Sequence, residues 1–581
     1  MLFSELSKFL ERIEQANSRL VMTRLLAELF KKTSAQEIGK VAYLVQGQIA
    51  PLYEHREFGV AEKLLLKALT SAFSLDSAQV RARNTSIGDL GLVAQASRKE
   101  TSELFDSAQI VSIEELFKKL YALTTLSGTG SQDEKLALIA DMLRIADPLS
   151  CRYIVRILID KLRLGFSAMT ILDAYSWMLT GDKTLRKSIE RVYNVYPDLG
   201  HIGALLKQGG IRALSRIGPK VGVPILMAKA ERVVKPSDII EKIGECAVEP
   251  KYDGFRLQLH FDKKKGTRLF TRGLDDVSYM YPEIVQAGNS ELTCDSLILE
   301  GEAVGYNPDT GEFLPFQETV QRKRKYGIRE KALLVPLKLF AFDLLYIDGK
   351  NFLHEPYTTR KKMLKNSIKL KKINTIIYTK EILTSDPKIL ESLFDQYTSE
   401  GLEGVMAKKL DGTYEAGARG YNWIKFKRSY SKKLNDTIDC VVMGFDYGKG
   451  KRTSFGIGAF LAGVYNKQTD TFETVAKIGT GLTDDEWRTM SAQCTKNKAA
   501  HKPIQYTVDD MTTPDEWSYP KIVVEIRADE ITRSPVHTAG KTNGIGYALR
   551  FPRLERFRAD KLPVDVTTTA ELQDLYTVQN K

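Results

Sequence analysis

The chain has 581 residues, 43% hydrophobic and 27% charged, the balance of an ordinary folded protein, which excludes a disordered chain. That length is too great for one core, so roughly two to four domains are expected. Lys and Arg (85) outnumber Asp and Glu (73), for a net charge of +12 and a pI near 9.1, a balance that suits a polyanionic partner.

The opening MLFSELSKFLERIEQ sets Leu6, Phe9, Leu10 and Ile13 on one helical face and reads as an amphipathic helix rather than a signal peptide. With no apolar run long enough to span a bilayer, the expected location is the cytoplasm, with no membrane contact. The five cysteines (Cys151, Cys246, Cys294, Cys440, Cys494) are scattered without a CxxC pair and read as buried thiols. Helical spacing continues through VMTRLLAELF, KLALIADMLRIA and YIVRILIDKLRLG, which predicts an all-α domain over 1–215. In the last segment Ile154, Ile157, Leu158 and Leu162 face the core. Arg156, Lys161 and Arg163 are assigned to the opposite face, either solvated or against phosphates.

SRIGPKVGVPILM then behaves as a linker. Short alternating strands (FRLQLHF, SLILEGEAV, LKLFAFDLLYI, YNWIKFK) mixed with helical stretches such as KILESLFDQY predict an α+β domain over 216–432. From 433 to 581, TIDCVVMGFD, GAFLAGVY, FETVAKIG and KIVVEIRADEI are strands separated by turn residues, the size of a small β-barrel of the OB type. The basic runs QRKRKYGIREK and KKMLKNSIKLKK read as solvated surface or phosphate contacts, the second more as solvated surface.

One short stretch carries chemistry. In EPKYDGFR, Lys251 sits in the tight connection between a buried strand and FRLQLHF. A lysine with its ordinary pKa near 10.4 cannot attack anything until it loses its proton, which burial or neighbouring cations bring about. A surface lysine before an Asp-Gly turn is the bland alternative. Further candidates follow in chain order. Arg272 ends a strand in LFTRGLDD, as a solvated turn residue or a phosphate or ribose contact. Glu302, in LILEGEAVGYN, is an edge acid or a metal ligand. Phe342, in KLFAFDLLYIDG, alternates with Phe340 and Leu344, as core or as a stacker for a purine. Glu403 in EGLEGVMAKK is a second acid, and YNWIKFK presents Lys425 and Lys427 on one strand face. A nucleophilic lysine, two acids, several cations and an aromatic make the parts list of nucleotidyl transfer, which is mainly positioning and charge neutralisation at phosphorus. No GxxxxGK[ST] loop is present, so the phosphates are not held as in P-loop proteins.

Taken together, KYDG, FTRGLDDVSYMYPEI, ILEGEAVGYN, FAFDLLYIDG, EGLEGVMAKK, WIKFK and, near the end, RFPRLERFRADK resemble in order and rough spacing the motifs of ATP-dependent DNA ligases of the archaeal and eukaryotic replicative type. REFGVAEKLLLKAL and the DKLRLG segment resemble the family's helical DNA-binding domain. The resemblance implies a helical DNA-binding domain (1–215), a nucleotidyltransferase or adenylation domain (216–432) and an OB-fold domain (433–581), acting on nicked double-stranded DNA with ATP and Mg2+ in replication, repair and recombination, as a monomer.

Residue by residue, it implies that Lys251 takes AMP from ATP, that Glu249 reads the adenine amino group, and that Arg256 and Arg272 meet ribose and phosphate. Glu302 is implied at the ribose hydroxyl or Mg2+, Phe342 at the purine face, and Glu403 at a second Mg2+. Arg419, Lys425 and Lys427 are implied at the triphosphate, and Arg558, Asp560 and Lys561 at the pyrophosphate during the first step. Glu300 stands where family members often have Asp. A sliding clamp is a partner the family allows, but its peptide is not evident: residues 99–112 read KETSELFDSAQIVS, with Phe105 the one aromatic. RNA ligases and capping guanylyltransferases share the lysine motif but lack such a helical extension, and NAD-dependent ligases carry a four-cysteine zinc module missing here. A silent nucleic-acid-binding scaffold is the alternative of another class.

Overall fold

The computed structural model describes residues 1–101, 110–128, 130–233, 235–308, 311–314, 316–324, 326–369, 371, 374–427, 437–448, 455–479 and 482–579. They form two compact units, one of residues 1–231, 239–386 and 406–424, the other of 232–238, 387–405 and 425–581.

The first unit opens with helices from Phe3–Glu14 to Leu199–Gly209 around one continuous apolar core. Local chemistry sets their ends. Ser112 and Glu115 form a capping box, and Asp147 accepts from the amides of Leu149 (3.0 Å) and Ser150 (3.1 Å) ahead of Pro148 in the first turn. The helix Pro148–Leu158 departs from the expected two-faced pattern. Arg156 is 2% exposed, its guanidinium bonded to Glu14 (2.9 Å) and Asp89 (2.8 Å). Helices Phe3–Glu14 and Leu90–Glu100 pack on this helix and bring those acids, so the face read as outward is covered. Lys161 and Arg163 are exposed, Arg163 reaching Asp89 at 3.1 Å.

The strands of the central region are β1 (Lys229–Arg232), β2 (Cys246–Lys251), β3 (Phe255–Asp262), β4 (Gly266–Thr271), β5 (Ser296–Gly305), β6 (Leu337–Ile347), β7 (Lys350–Asn351), β8 (Ile376–Tyr378), β9 (Ile382–Thr384), β10 (Gly404–Lys409) and β11 (Arg419–Lys427). They make two sheets, ordered β1-β11-β10-β2-β9 and β4-β3-β5-β6-β7, with β8 parallel to β6. Both faces of β3 are buried: Gln258 and His260 are 0% exposed alongside Leu257 and Leu259. Its alternation therefore separates an apolar layer from a buried polar one rather than core from water. β6 carries bulges opposite Leu299/Ile298 and Glu300/Gly301, so Leu344 joins Leu339 and Ala341 in one core while Phe342 packs with Leu345 in another, against the simple alternation.

In the second unit the C-terminal region is strand-rich, as expected. Its strands are β12 (Ile438–Tyr447), β13 (Ile457–Asn466), β14 (Thr471–Ile478), β15 (Lys498–Ala499), β16 (Tyr506–Thr507), β17 (Glu516–Ser518), β18 (Val523–Arg527), β19 (Glu530–Ser534), β20 (Ala539–Thr542), β21 (Ile545–Arg550) and β22 (Arg553–Phe557). β15-β17-β12-β13-β14-β16 form one sheet in which β18 links β12 to β22, and β19-β21-β20 form another. KIVVEIRADEI is thus two strands. Ala528 and Asp529 lie between them, and the Asp529 amide bonds Arg550 O at 3.0 Å as the chain changes sheets.

Candidate active site

Lys251 is the last residue of β2 and Phe255 the first of β3, so Tyr252-Asp253-Gly254 carries the chain from one sheet to the other. Gly254 has a steric reason to be glycine: a Cβ there would lie 2.2 Å from the carbonyl oxygen of Ala303 on β5. Beside the half-buried Lys251, the ring of Tyr252 stacks on Phe340 at 4.0 Å, and Phe313 meets both rings edge-on.

Glu249, two residues before Lys251, is 1% exposed. Its Oε1 accepts from Tyr357 Oη (2.9 Å), Thr379 Oγ1 (2.7 Å) and the Lys361 ammonium, and its Oε2 pairs with Lys408 Nζ at 2.7 Å. Burial alone would raise this carboxyl, but the two ammonium groups outweigh it and hold it at about 2. Lys408 also donates to Phe342 O (2.8 Å) and lies over the rings of Phe342, Trp423 and Tyr357 at 4.8, 4.9 and 5.0 Å.

Arg256, on β3, meets the same two rings as Lys408. Its guanidinium lies over Phe342 (5.2 Å) and Trp423 (5.1 Å), donates to Ala228 O at 2.7 Å and pairs with Glu300 at 2.5 Å. Burial opposes its charge; Glu300 keeps it. Its Nε is buried with no partner among the described residues. Glu300 is fully enclosed and also accepts from Tyr414 Oη (2.9 Å) and Gln258 Nε2 (3.0 Å). Behind it, His260 accepts from Gly222 N–H at Nδ1 (3.0 Å) and contacts Gln258 Oε1 through Nε2 (2.8 Å), which puts its proton on Nε2. Burial, and then Arg268, push this imidazole down to about 3.

Of the other expected residues, Glu302 lies on β5 in register between Arg256 and Phe340 and is half-buried. Arg272 is exposed just after β4, and Arg419 is exposed at the start of β11. In the second unit Lys425 and Lys427 lie opposite the buried Phe426, and Lys427 pairs with Glu403 at 2.7 Å. There too, Arg558, Asp560 and Lys561 follow β22. Among the described residues no three His, Cys, Asp or Glu side chains cluster as a metal cage. The acids present suit an ion such as Mg2+, which takes one or two carboxylates and completes its shell with phosphate oxygens and water.

Sequence reasoning had missed Lys361, Tyr357 and Thr379. Lys361 comes from the run KKMLKNSIKLKK that reads as solvated, yet it is 2% exposed because its helix packs on β6. QRKRKYGIREK divides likewise: Arg322 is buried against Glu283 (2.6 Å), while Arg324 and Arg329 are exposed. Nothing in local pattern separates one basic residue from the next. Trp423 and Lys408 did carry a signal, lying inside the quoted motifs.

Three family models match: DNA ligase N terminus over 2–176, ATP dependent DNA ligase domain over 227–427, and ATP dependent DNA ligase C terminal region over 453–561. The chain is 46% identical to "Probable DNA ligase" of Dictyoglomus thermophilum over 584 residues, covering 100% of this chain and 98% of that one. It is 40% identical to "DNA ligase 2" of Thermofilum pendens over 595 residues, again covering 100% and 98%.

The chain belongs to the ATP-dependent DNA ligases.

It is therefore an ATP-dependent enzyme that joins DNA, the activity of this family. Among solved structures, Pmar-Lig_PreS3 shares the fold at a TM-score of 0.54 and 18% identity, covering 95% of this chain and 99% of that one. Among the described residues no helix is long and apolar enough to cross a membrane.

Proposed function

We propose that this ligase seals nicks in duplex DNA with Lys251 as its nucleophile. The observation that carries this is the position of Lys251: half-buried at the junction of two sheets, two residues after the buried Glu249 and next to Tyr252, whose ring stacks on Phe340.

In the first step the neutral Lys251 amine forms a P–N bond to the α-phosphorus of ATP as the bond to the bridging oxygen breaks; pyrophosphate leaves with the electron pair, and the amine gives up its proton. An oxygen of the nick's 5′-phosphate then attacks this phosphorus, breaking the P–N bond and returning Lys251. The 3′-hydroxyl finally attacks the 5′-phosphate, AMP departs, and its proton goes to solvent.

Phe342 stacks on the purine, and Glu249 Oε2, which accepts from Lys408, keeps a second lone pair for the adenine amino group. Arg256, through its unpartnered Nε, and Arg272 take ribose and phosphate oxygens. Arg419, Lys425 and Lys427 neutralise the triphosphate, and Arg558, Asp560 and Lys561 orient pyrophosphate in the first step. Glu302 would meet the ribose hydroxyl or hold Mg2+, and Glu403 would hold a second Mg2+; the chemistry of the ion is to draw charge from the phosphate oxygens.

The reading assigns DNA binding to a helical domain of 1–215, chemistry to 216–432 and the closing OB-fold to 433–581, in a cytoplasmic monomer. A net charge of +12 favours contact with phosphates, so binding weakens steeply with salt and varies little with sequence. A clamp peptide between 99 and 112 falls mostly in 102–109, outside the described residues.

The test is incubation of the protein and its Lys251→Ala variant with Mg2+ and ATP labelled at the α-phosphate. Label that survives denaturation on the native chain alone, and that is discharged by nicked duplex with joining of the strand, is the expected result. Equal labelling of both proteins, or an adduct that nicked DNA leaves in place, refutes the assignment.

A further inference from the structure

Asp439, on β12, lies outside the motifs quoted above, yet RFPRLERFRADK converges on it. Lys561 Nζ lies 2.6 Å from its Oδ2, and Arg558 Nη1 lies 3.1 and 3.3 Å from its two oxygens. The same Nη1 reaches Glu525 at 3.4 Å, while Arg558 Nε and Nη2 bind Asp560 at 2.9 and 2.8 Å. The backbone of Asp439 is also fixed to the chain beyond the motif: its amide donates to Thr567 Oγ1 (3.0 Å) and its carbonyl accepts from the Thr567 amide (3.1 Å).

This arrangement has a cost that ordinary stability does not require. Asp439 and Glu525 are direct cross-strand partners on β12 and β18, and like charges in that relation repel. Both side chains are nearly enclosed, at 12% and 13% exposure, so water screens the repulsion poorly. Cations offset it: Arg556, across from Glu525 on β22, together with Arg558 and Lys561. A sheet needing only strength at this point gains more from an apolar or oppositely charged pair. What the two acids accomplish is to draw two flexible cations, three residues apart in one turn, onto a single fixed carboxylate.

We infer that Asp439, backed by Glu525, is a positioning residue that presents Arg558 and Lys561 as a pair to the pyrophosphate end of ATP in the adenylation of Lys251. The inference rests on the reading that Arg558 and Lys561 serve that step. Asp439 touches neither substrate nor reacting atoms; its effect passes through the two cations.

The experiment separates the steps. The Asp439→Asn, Asp439→Glu and Glu525→Gln variants are compared with the native chain in self-adenylation by labelled ATP and in sealing of a nick that already carries the 5′-adenylate. Arg558→Ala and Lys561→Ala serve as references. Asp439→Asn is expected to slow adenylation at least about tenfold while changing the sealing of the adenylated nick by less than about twofold. Asp439→Glu, which keeps the carboxylate, restores part of the loss, and Glu525→Gln gives a smaller loss in the same step. Equal loss in both steps, or no loss, overturns the inference. Should Asp439→Asn fail to fold, Glu525→Gln carries the test: slower adenylation with intact sealing supports the inference, and an unchanged rate overturns it. Normal adenylation by both Arg558→Ala and Lys561→Ala would instead show that the reading beneath it is wrong.

Discussion

Replacing Glu249 by Gln removes the negative charge of a lock whose partners stay behind. Lys361 and Lys408 are 2% and 1% exposed, and in the variant an amide N–H₂ would face an ammonium. Leaving buried charge uncompensated in this way costs about 3–5 kcal/mol. The titration of the carboxyl leads to a similar figure. Held at about 2 instead of its ordinary 4.5, it contributes about 3 kcal/mol at neutral pH, at 1.36 kcal/mol per factor of ten.

Because the folded-state carboxyl is depressed, the unfolded chain takes up its proton first as the pH falls. The advantage of the native chain is thus whole above about pH 5 and is lost progressively between 4.5 and about 2. At about 2 °C per kcal/mol for a unit of this size, calorimetry of the full chain at neutral pH should place the transition of the Glu249→Gln variant about 6–10 °C lower. The gap should hold constant down to about pH 5 and narrow below it; comparing the two chains cancels His260, which titrates in both. A gap under about 1 kcal/mol, or one as wide at pH 3.5 as at neutrality, would refute the idea that charge rather than shape is what Glu249 supplies.

Gly254→Ala drives a Cβ to 2.2 Å from Ala303 O, far inside the roughly 3.5 Å at which heavy atoms sit without strain. Since the carbonyl belongs to a paired strand, the Lys251 turn must move instead, and adenylation should fall at least about 100-fold while DNA binding in a gel-shift assay is retained; near-native labelling would contradict this. Arg156→Gln, which leaves Glu14 and Asp89 without their shared cation, should destabilise the helical region by about 3–5 kcal/mol, whereas the exposed Lys161→Ala on the same segment should stay within about 0.5 kcal/mol. Melting curves of equal shift for the two variants would argue against the buried network.

Helical periodicity before about residue 215, strand alternation after it, and the ordered motifs around Lys251, Glu302, Glu403 and Lys561 were all legible in the sequence, because each depends on residues near one another in the chain. The placement of Lys425 and Lys427 opposite Phe426 follows from strand pleating alone.

The fates of individual charges were not legible. Arg156, Lys361 and Arg322 sit in runs that read as solvated or phosphate-facing, and each is buried because an acid 67, 112 or 39 residues away arrives from another element. Phe342 parted from Leu344 through bulges that exist only once β5 and β6 pair. The sequence by itself determined which chemistry the chain carries, since reactive groups are named by residue type and local spacing. Only the tertiary structure decided which of its many cations are locked to carboxylates and which face solvent, because a charge in a low-dielectric interior is set by partners that chain order does not bring near.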